Sequence, residues 1–215
     1  MAHASTAVEP PPSARVPQQA RSVATRLRLL EATVETLVEC GWAATTTTEV
    51  GRRAGVSQGA IFKHFPNKSL LIAASIEHLF TGLIEDFRES FEAVRGEQAL
   101  ADAIRILWEI FRDARLQGAF ELYLAARTDA DLRSALAPVL VRHRATLYAE
   151  AARLFPAAAD DPDFASAVDV VLNALQGAAL SAIALSDPEA ERAQLAQVER
   201  WARRELGQLG QPPGD

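Results

Sequence analysis

The side chains best suited to bind a nucleic acid are concentrated between Thr46 and Lys68. Both lysines of the chain, Lys63 and Lys68, lie in this stretch, beside a run of threonines and the glutamine Gln58. Hydroxyl and ammonium groups bind phosphate oxygens, and the amide of a glutamine can pair with adenine through two hydrogen bonds. These residue types favour recognition by hydrogen bonds and ion pairs rather than a reaction.

Signatures of catalysis and of metal binding are missing from the sequence. It contains no phosphate-binding glycine loop, no Gly-x-Ser-x-Gly nucleophile motif and no histidine pair at metal-ligand spacing. The single cysteine, Cys40, rules out an internal disulfide, fits a reducing cytoplasm and should be a small buried residue. We therefore expect no catalytic residue, no metal and no cofactor. The alternatives are an enzyme whose nucleophile and base meet only in the fold, and a helical adaptor that binds only protein.

The charge of the chain is unevenly distributed. Its formal net charge is −6, but residues 1–68 carry +3 and the remainder carries −9. A basic segment attached to an acidic body favours a nucleic-acid-binding head. Within that segment, Arg52 and Arg53 could add to the positive surface or simply be solvated. Arg15 and Arg21 could reach a minor groove as flexible arms do.

The first part of the chain predicts a tail followed by a helix. Residues 1–20 are rich in proline and small polar residues, which indicates a disordered tail, and they lack the basic and apolar regions of a secretory signal. Apolar residues recur at helical spacing from Ser22 to Cys40, and Gly41 should end that helix.

Two short helices joined by a glycine turn should follow. Thr46, with Glu49 three residues later, has the pattern of a capping box, and the helix that it begins should end at Ala54 before Gly55. A second helix should begin near Ser57 and end at a proline. Its predicted apolar face consists of Ile61, Phe62 and Phe65. Two short helices with a tight turn between them form a helix-turn-helix motif.

The run from Gly41 to Lys68 strongly resembles the DNA-binding signature of the TetR (tetracycline repressor) family. Glycines, capping threonines, an aromatic residue and a lysine all fall in register. The resemblance covers roughly residues 22–70, and the rest of the chain matches the family only in its length and its helical pattern. Family members are typically homodimers whose variable C-terminal domain binds a ligand that releases operator DNA, and the resemblance implies the same organisation here.

The resemblance implies that Thr46 and Thr47 contact a phosphate, a task that suits hydroxyls and free amides at a helix start. A plain helix cap is the alternative. The resemblance also places Gln58 and Gly59 at the start of the recognition helix, which meets base edges in the major groove. Gly59 has no Cβ and would let the helix approach the duplex closely, unless it is only a tolerated poor helix former. Ser57 belongs to the same surface, where its hydroxyl is better suited to cap the helix than to contact a base.

Four further positions complete the predicted DNA-binding surface. Phe62 departs from the family, which usually has a tyrosine there with its hydroxyl on a phosphate. Phe62 would keep an apolar contact with thymine methyl groups. Lys63 and His64 should face the DNA backbone, although His64 could instead be a structural histidine. For Lys68 the resemblance implies a phosphate contact.

The chain after Ser69 also has the apolar period of helices. It predicts helices at 70–94, 98–116, 120–127, 131–155, 163–185 and 189–206, and no β-strand. Pro138 should bend the fourth of them. The uncharged stretch 170–186 is barely long enough to span a membrane, and its alanine and glycine content fits close helix packing in a soluble dimer better. We therefore expect no membrane partner.

The two heads of a helix-turn-helix dimer must present their recognition helices one DNA turn apart, roughly 34–36 Å. The resemblance implies that the last two helices of each subunit form a four-helix interface that holds this spacing. The predicted interface residues are small or apolar: Ala174, Gly177, Ala178, Ala182, Leu195, Val198 and Trp201. An ordinary core within one chain is the alternative.

A ligand pocket would lie among the middle helices. The predicted aromatic lining consists of Trp108, Phe111, Phe120, Tyr123, Tyr148 and Phe155. Arg127, His143 and Asn173 are the polar residues that could orient a ligand. For any single aromatic residue, a place in the ordinary core is the alternative. The ligand should be small and largely apolar, and the long helix at 70–94 should connect its pocket to the head.

These observations predict an all-α homodimer in three parts. They are a disordered tail at 1–20, a three-helix helix-turn-helix DNA-binding domain at 21–68, and a helical ligand-binding and dimerisation domain at 69–208. The predicted partners are a palindromic double-stranded operator and a small-molecule effector. The protein would act in the cytoplasm as a repressor that the effector releases.

Overall fold

The computed structural model describes residues 18–92, 94 and 98–208. In chain order its helices are α1 Gln18–Ala44, α2 Thr47–Ala54, α3 Gln58–His64, α4 Lys68–Phe91, α5 Ala99–Phe111, α6 Ala114–Ala126, α7 Ala130–Leu154, α8 Phe164–Ala184 and α9 Pro188–Gln208. The described residues contain no β-strand, so the predicted all-α fold is confirmed. Most of the predicted tail, with Arg15, lies outside the described residues.

The first three helices form the predicted helix-turn-helix. Thr46 caps α2, because its hydroxyl accepts a hydrogen bond from the amide of Glu49 at 3.1 Å. Gly55 ends α2 in the left-handed conformation, with φ 63° and ψ 38°, which favours glycine. Ser57 caps α3 by accepting from the amide of Ala60. Apolar residues of these helices and of α4 form the head core: Leu29, Leu30, Ala32, Val50, Ala54, Ile61, Phe65 and Leu71.

Helix α1 begins at Gln18, inside the predicted tail. The helical conformation is broken at Gly41, the predicted stop, where φ is 73° and ψ is 174°. A short helical segment after this break extends α1 to Ala44. Cys40 is exposed rather than buried, and its Sγ lies 3.4 Å from a guanidinium nitrogen of Arg53.

The second part of the chain differs from the prediction mainly between α5 and α6. The sequence predicts one helix over 98–116, whereas the structure divides this segment at Arg112 and Asp113. The carboxylate of Asp113 accepts a hydrogen bond from the amide of Arg115 at 2.7 Å and caps α6. The sequence does not indicate this break, because apolar residues continue at helical spacing across it. Helix α4 ends at Phe91, and its predicted stop at position 96 lies outside the described residues.

Two buried clusters share the helices α1 and α4. Helix α1 contributes Leu29 to the head core and Leu37 to a larger core with α6 and α7. Helix α4 likewise contributes Leu71 to the first cluster and Ile76 to the second. The head is therefore joined to the body by continuous packing through two helices rather than by a flexible linker.

Helix α8 packs against its own chain along one side only. Val171, Leu175 and Ala179 lie in a cluster with residues of α5 and α9. By length and composition α8 could cross a membrane, and only 22% of its most apolar window is buried in this chain. A large apolar surface of α8 is thus left uncovered by its own subunit.

Candidate DNA-binding surface and ligand cavity

A close crossing of α2 and α3 positions the exposed face of the head. Gly51 allows this crossing, because a Cβ there would lie 2.8 Å from the backbone oxygen of Val56 and 3.1 Å from Cδ1 of Ile61. Gln58 is held at the same crossing, where its Nε2 donates to Oγ1 of Thr48 at 2.7 Å. The two helices therefore present their exposed sides as one unit. The signal for Gly51 in the sequence is a glycine in the middle of a predicted helix.

The residues predicted to read bases lie on one exposed face of α3. Gln58, Gly59, Phe62 and Lys63 are exposed, whereas Ile61 on the other side is buried. Phe62 is 48% exposed, so it lies on this outer face rather than with buried Ile61 and Phe65, and its predicted contact with DNA stays a prediction. Its ring has no hydroxyl, so only apolar contact with a partner is open to it.

The caps of α2 and α3 lie beside this face. Thr46 and Ser57 are exposed, and Thr47 is half-buried. Both capping hydroxyls accept hydrogen bonds from their own helices, yet their protons remain available as donors. Capping and a phosphate contact are therefore compatible at these positions.

Lys68 and His64 are less open than the α3 face. Lys68 is half-buried, and its Nζ lies 3.8 Å from the centre of the Trp42 ring, a cation–π contact. Desolvation lowers the pKa of Lys68, against the opposing effect of Asp129. The half-buried ring of His64 lies beside Phe65, with ring centres 6.5 Å apart. The phosphate contacts predicted for Lys68 and His64 stay predictions.

Arg52 and Arg53 form ion pairs within the head, although the Arg52 side chain is 68% exposed and the Arg53 side chain only 16%. Both bind the carboxylate of Glu49, and Arg53 also donates to Oε2 of Glu39 at 2.6 Å. Hydrogen bonds from Arg52 and Arg53 hold the pKa of Glu49 at about 2. Because this carboxylate is engaged there, it does not reach back to the amide of Thr46, and only half of the predicted capping box forms.

The two glycines of the head should respond differently to alanine. Gly51→Ala should lower the free energy of unfolding by about 1–3 kcal/mol, because it overpacks against the backbone of Val56. A Cβ at Gly59 meets nothing within 4 Å, so Gly59→Ala should leave stability unchanged or raise it by up to about 1 kcal/mol. It should still weaken DNA binding, since the methyl group is added on the outer face. Urea unfolding and fluorescence anisotropy measure the two effects; equal destabilisation by both variants would contradict this packing.

A cavity of about 500 Å³ lies among helices α4 to α9. Helices α4 and α5 supply a buried apolar wall that includes Phe80, Phe87 and Ile104. Helices α6, α7 and α8 supply the other walls. The volume and the apolar lining are typical of sites that hold a small molecule. Within the described residues, no three His, Cys, Asp or Glu side chains come together as a metal site would require.

The structure brings most of the predicted lining residues to this cavity. Those that border it are Phe111, Phe120, Tyr123, His143, Phe155 and Asn173. Trp108 instead packs in the cluster between α5, α8 and α9, where it is 4% exposed. Arg127 is exposed at the end of α6, and the hydroxyl of Tyr148 donates to Asp169 at 2.7 Å. Helical periodicity marks a face as apolar but does not say which neighbour that face meets.

His143 is the clearest polar group of the cavity wall. Its ring stacks on Phe80, with centres 3.9 Å apart and planes 14° apart. Burial lowers the pKa of His143 to about 4, so the ring is neutral near pH 7 and offers one donor and one acceptor. Glu150, also at the wall, is bound by Arg88 and by Arg153. Asp169, which accepts a hydrogen bond from Tyr148, and the exposed Arg144 also border the cavity. Because the wall on α4 and α5 is buried and apolar, the inner part of the cavity suits an uncharged ligand with one or two polar groups.

Helix α6 forms a second connection between the cavity and the head. Phe120 lines the cavity, and the next residue, Glu121, accepts a hydrogen bond from the backbone N–H of Trp42 at 2.6 Å. A Cβ at Gly118 would lie 3.4 Å from the backbone of Leu37, so α6 also approaches α1 closely. The predicted connection through α4 alone is therefore incomplete. Nothing in the sequence signals the bond between Trp42 and Glu121, because these residues are 79 positions apart and share no motif.

The predicted interface residues fall into two groups. Ala174 and Gly177 are exposed on α8, and Ala182 is half-buried. The other four pack against the core of their own chain: Ala178, Leu195, Val198 and Trp201. The apolar stripe of α9 is therefore used largely within the subunit, where it covers α5 and α8.

Comparison with known proteins agrees with this architecture. Residues 29–74 match the sequence model of a family described as bacterial regulatory proteins, tetR family. The chain is 34% identical over 177 residues to the uncharacterized HTH-type transcriptional regulator Rv2912c of Mycobacterium tuberculosis, which spans 81% of this chain and 90% of that protein. Among solved structures, a transcriptional regulator from Rhodococcus sp. Rha1 matches with TM-score 0.67 and 24% identity, over 87% of this chain and 99% of that one. The multidrug binding protein EbrR, complexed with ethidium, matches with TM-score 0.63 and 21% identity, over 82% and 98%.

Proposed function

This chain belongs to the TetR family of bacterial transcriptional regulators, and we propose that it is a repressor that leaves its operator when a small molecule fills the cavity. It binds a palindromic operator as a homodimer, in the cytoplasm, where bacterial chromosomal DNA lies. The observation that carries this proposal is the exposed face of α3, where Gln58, Gly59, Phe62 and Lys63 point away from a capped helix-turn-helix.

Base recognition on this face follows from the chemistry of its side chains. Gln58 exchanges its hydrogen bond to Thr48 for a pair of bonds to adenine. Phe62 packs on thymine methyl groups, and Lys63 binds a phosphate. The amides and hydroxyls at the start of α2, including Thr46, bind the backbone and set the register of the head.

The uncovered side of α8 supports a homodimer. Ala174 and Gly177 are exposed there, and small residues allow two helices to approach closely. A two-fold interface presents the same surface of both subunits and places the two α3 helices on successive major grooves. A palindromic operator matches that symmetry.

The effector is a small, uncharged and largely apolar molecule. The cavity has the size for it, and the neutral His143 supplies a donor and an acceptor. EbrR, which has the same fold, forms complexes with the aromatic molecules ethidium and imidazole, which supports a small-molecule site in this fold. The uncharged character of the effector rests on the cavity lining alone, because ethidium is a cation. An effector lowers the affinity for DNA only if it binds the DNA-free conformation of the protein more tightly than the DNA-bound conformation. Helices α4 and α6 touch both the cavity and the head, so they are the elements whose tilt separates the α3 helices.

Two substitutions on α3 test the proposed reading. Gln58→Ala should relax the preference at one base step by about 1–3 kcal/mol. Lys63→Ala is the comparison: it should weaken binding to all sequences alike and reduce the salt slope by about one. Binding to a panel of operator variants at several salt concentrations measures both effects. If Gln58→Ala leaves base preference unchanged, Gln58 does not read the sequence.

A further inference from the structure

The residues that line the cavity are buried on one side and exposed to solvent on the other. On α4 and α5, Phe80 and Ile104 are 4% and 3% exposed. On α6 and α7, Tyr123 is 43% and Val141 is 62% exposed, and Asn173 of α8 is exposed as well. All five residues line the same cavity. The cavity therefore opens to solvent through a mouth formed by α6, α7 and α8.

The mouth is continuous with the uncovered side of α8. Asn173 lies at the rim, and Gly177, four residues later, lies on the same side of the helix about one turn away. Ala174, Gly177 and Val170 are exposed there, with Val170 at 49%. The rim of the cavity and the predicted dimer face are thus neighbouring parts of one surface.

This surface is also where apolar side chains are left exposed. Among the described residues after α4, the exposed large hydrophobic side chains lie on α6, on α7, or on α8 and its C-terminal cap, and none lies on α5 or α9. They are Tyr123, Leu124, Val141, Val170, Leu180, Ile183 and Leu185. Exposed apolar side chains concentrated on one set of helices are typical of a site of association.

We propose that the second subunit of the homodimer closes this mouth, so that the effector site is complete only in the dimer. A copy that covers α8 at Gly177 reaches the rim at Asn173, and by two-fold symmetry each subunit closes the cavity of the other. The apolar groups around the mouth, such as Val141, then lie against protein instead of water. This inference rests on the homodimer and the effector cavity of the proposed function.

A shared site has a thermodynamic consequence that can be measured. If a ligand binds the dimer more tightly than the separated subunit, it strengthens the dimer by the same factor for each ligand bound. A site complete within one subunit shows no such coupling. The dimer dissociation constant therefore reports on the architecture of the cavity without reference to DNA.

The experiment uses Nile red, an uncharged dye that fluoresces in apolar surroundings, as the probe. Wild-type protein is diluted through its dimer dissociation, with and without the dye, and followed by analytical ultracentrifugation and fluorescence. We expect the dimer to bind Nile red at least about tenfold more tightly than the separated subunit. Saturating dye should lower the dimer dissociation constant by that same factor for each dye bound.

A pair of glycine substitutions gives an independent comparison. A Cβ at Gly177 or at Gly82 meets nothing within 4 Å, so neither arginine begins with a clash at its Cβ within one subunit. Gly177 is exposed and Gly82 is half-buried. Gly177→Arg on α8 should be monomeric and lose dye affinity, whereas Gly82→Arg on α4 should remain dimeric and bind as wild type does. If Gly177→Arg does not fold, the dilution of wild-type protein makes the same comparison.

Equal dye affinity in the monomer and the dimer would overturn this inference and leave the repressor intact. A wild-type protein that is monomeric at all concentrations would overturn it together with the proposed homodimer. Operator binding by the same preparations separates the two failures.

Discussion

Gly177→Arg is expected to lower affinity for the palindromic operator by about 10²–10⁴-fold, which is the advantage of engaging two half-sites with one dimer. Gly177 is exposed on α8 and has open space around it within its own subunit. In the dimer, the guanidinium would be buried against an apolar surface without a counter-charge. Fluorescence anisotropy with labelled operator measures the affinity, and light scattering measures the mass.

Gly82→Arg is the matched control for this loss. It adds the same charge to a helical glycine of α4 that also has open space, so operator affinity and mass should stay those of wild type. A Gly177→Arg protein that remains dimeric would place the interface elsewhere. A monomeric one that keeps wild-type operator affinity would contradict recognition by a dimer.

The free energy of unfolding is expected to fall by about 2 kcal/mol between pH 6.5 and pH 4 through His143 alone. Burial lowers the pKa of His143 from 6.5 to about 4. In this interval the unfolded chain binds a proton that the folded chain does not, so stability falls as pH falls and the loss levels off below the folded pKa. The figure allows for solvent screening, because the ring is partly exposed. Urea unfolding between pH 4 and pH 7 measures it.

His143→Phe is the comparison, because it keeps an aromatic ring against Phe80 and removes the titrating group. Carboxylates contribute a separate loss at low pH: Arg88 and Arg153 lower the pKa of Glu150, so its stabilisation is present above its unfolded pKa and disappears as pH falls through the folded one. That loss is common to both proteins and cancels in the difference. A difference in stability that stays constant from pH 7 to pH 4 would show that His143 is not held neutral.

The head was predictable because its signals act over a few residues. The Thr46 and Ser57 caps and the left-handed Gly55 fix the ends of α2 and α3 by local hydrogen bonds and backbone conformation, which sequence shows directly. Exposure of Gly59 and Lys63 follows because each lies two residues from buried Ile61, on the opposite side of the helix. Phe62 was grouped with Ile61 and Phe65 on one apolar face because composition alone does not separate an exposed aromatic residue from a buried one.

The cavity was less predictable because its walls come from helices far apart in sequence. Trp108 and Phe111 lie on the same helix and both pack against the cluster with α8 and α9, but only Phe111 also borders the cavity. The hydrogen bond from Trp42 to Glu121 joins positions 79 residues apart. Such contacts depend on which helices pack together, and an apolar period in one helix carries no information about its neighbour.

Selection of DNA from a random duplex library, followed by a salt titration of the selected sequence, tests the central claim most directly. We expect a palindromic sequence whose half-site centres lie one helical turn apart. The dimer should bind it with a Kd of about 10⁻⁸–10⁻¹¹ M at physiological salt, about 10³-fold or more tightly than an unrelated duplex. Affinity should fall steeply as salt rises, because basic groups such as Lys63 displace counterions from phosphates. Selection of no common sequence, with equal weak affinity for every duplex, would contradict the assignment of this protein as a sequence-specific regulator.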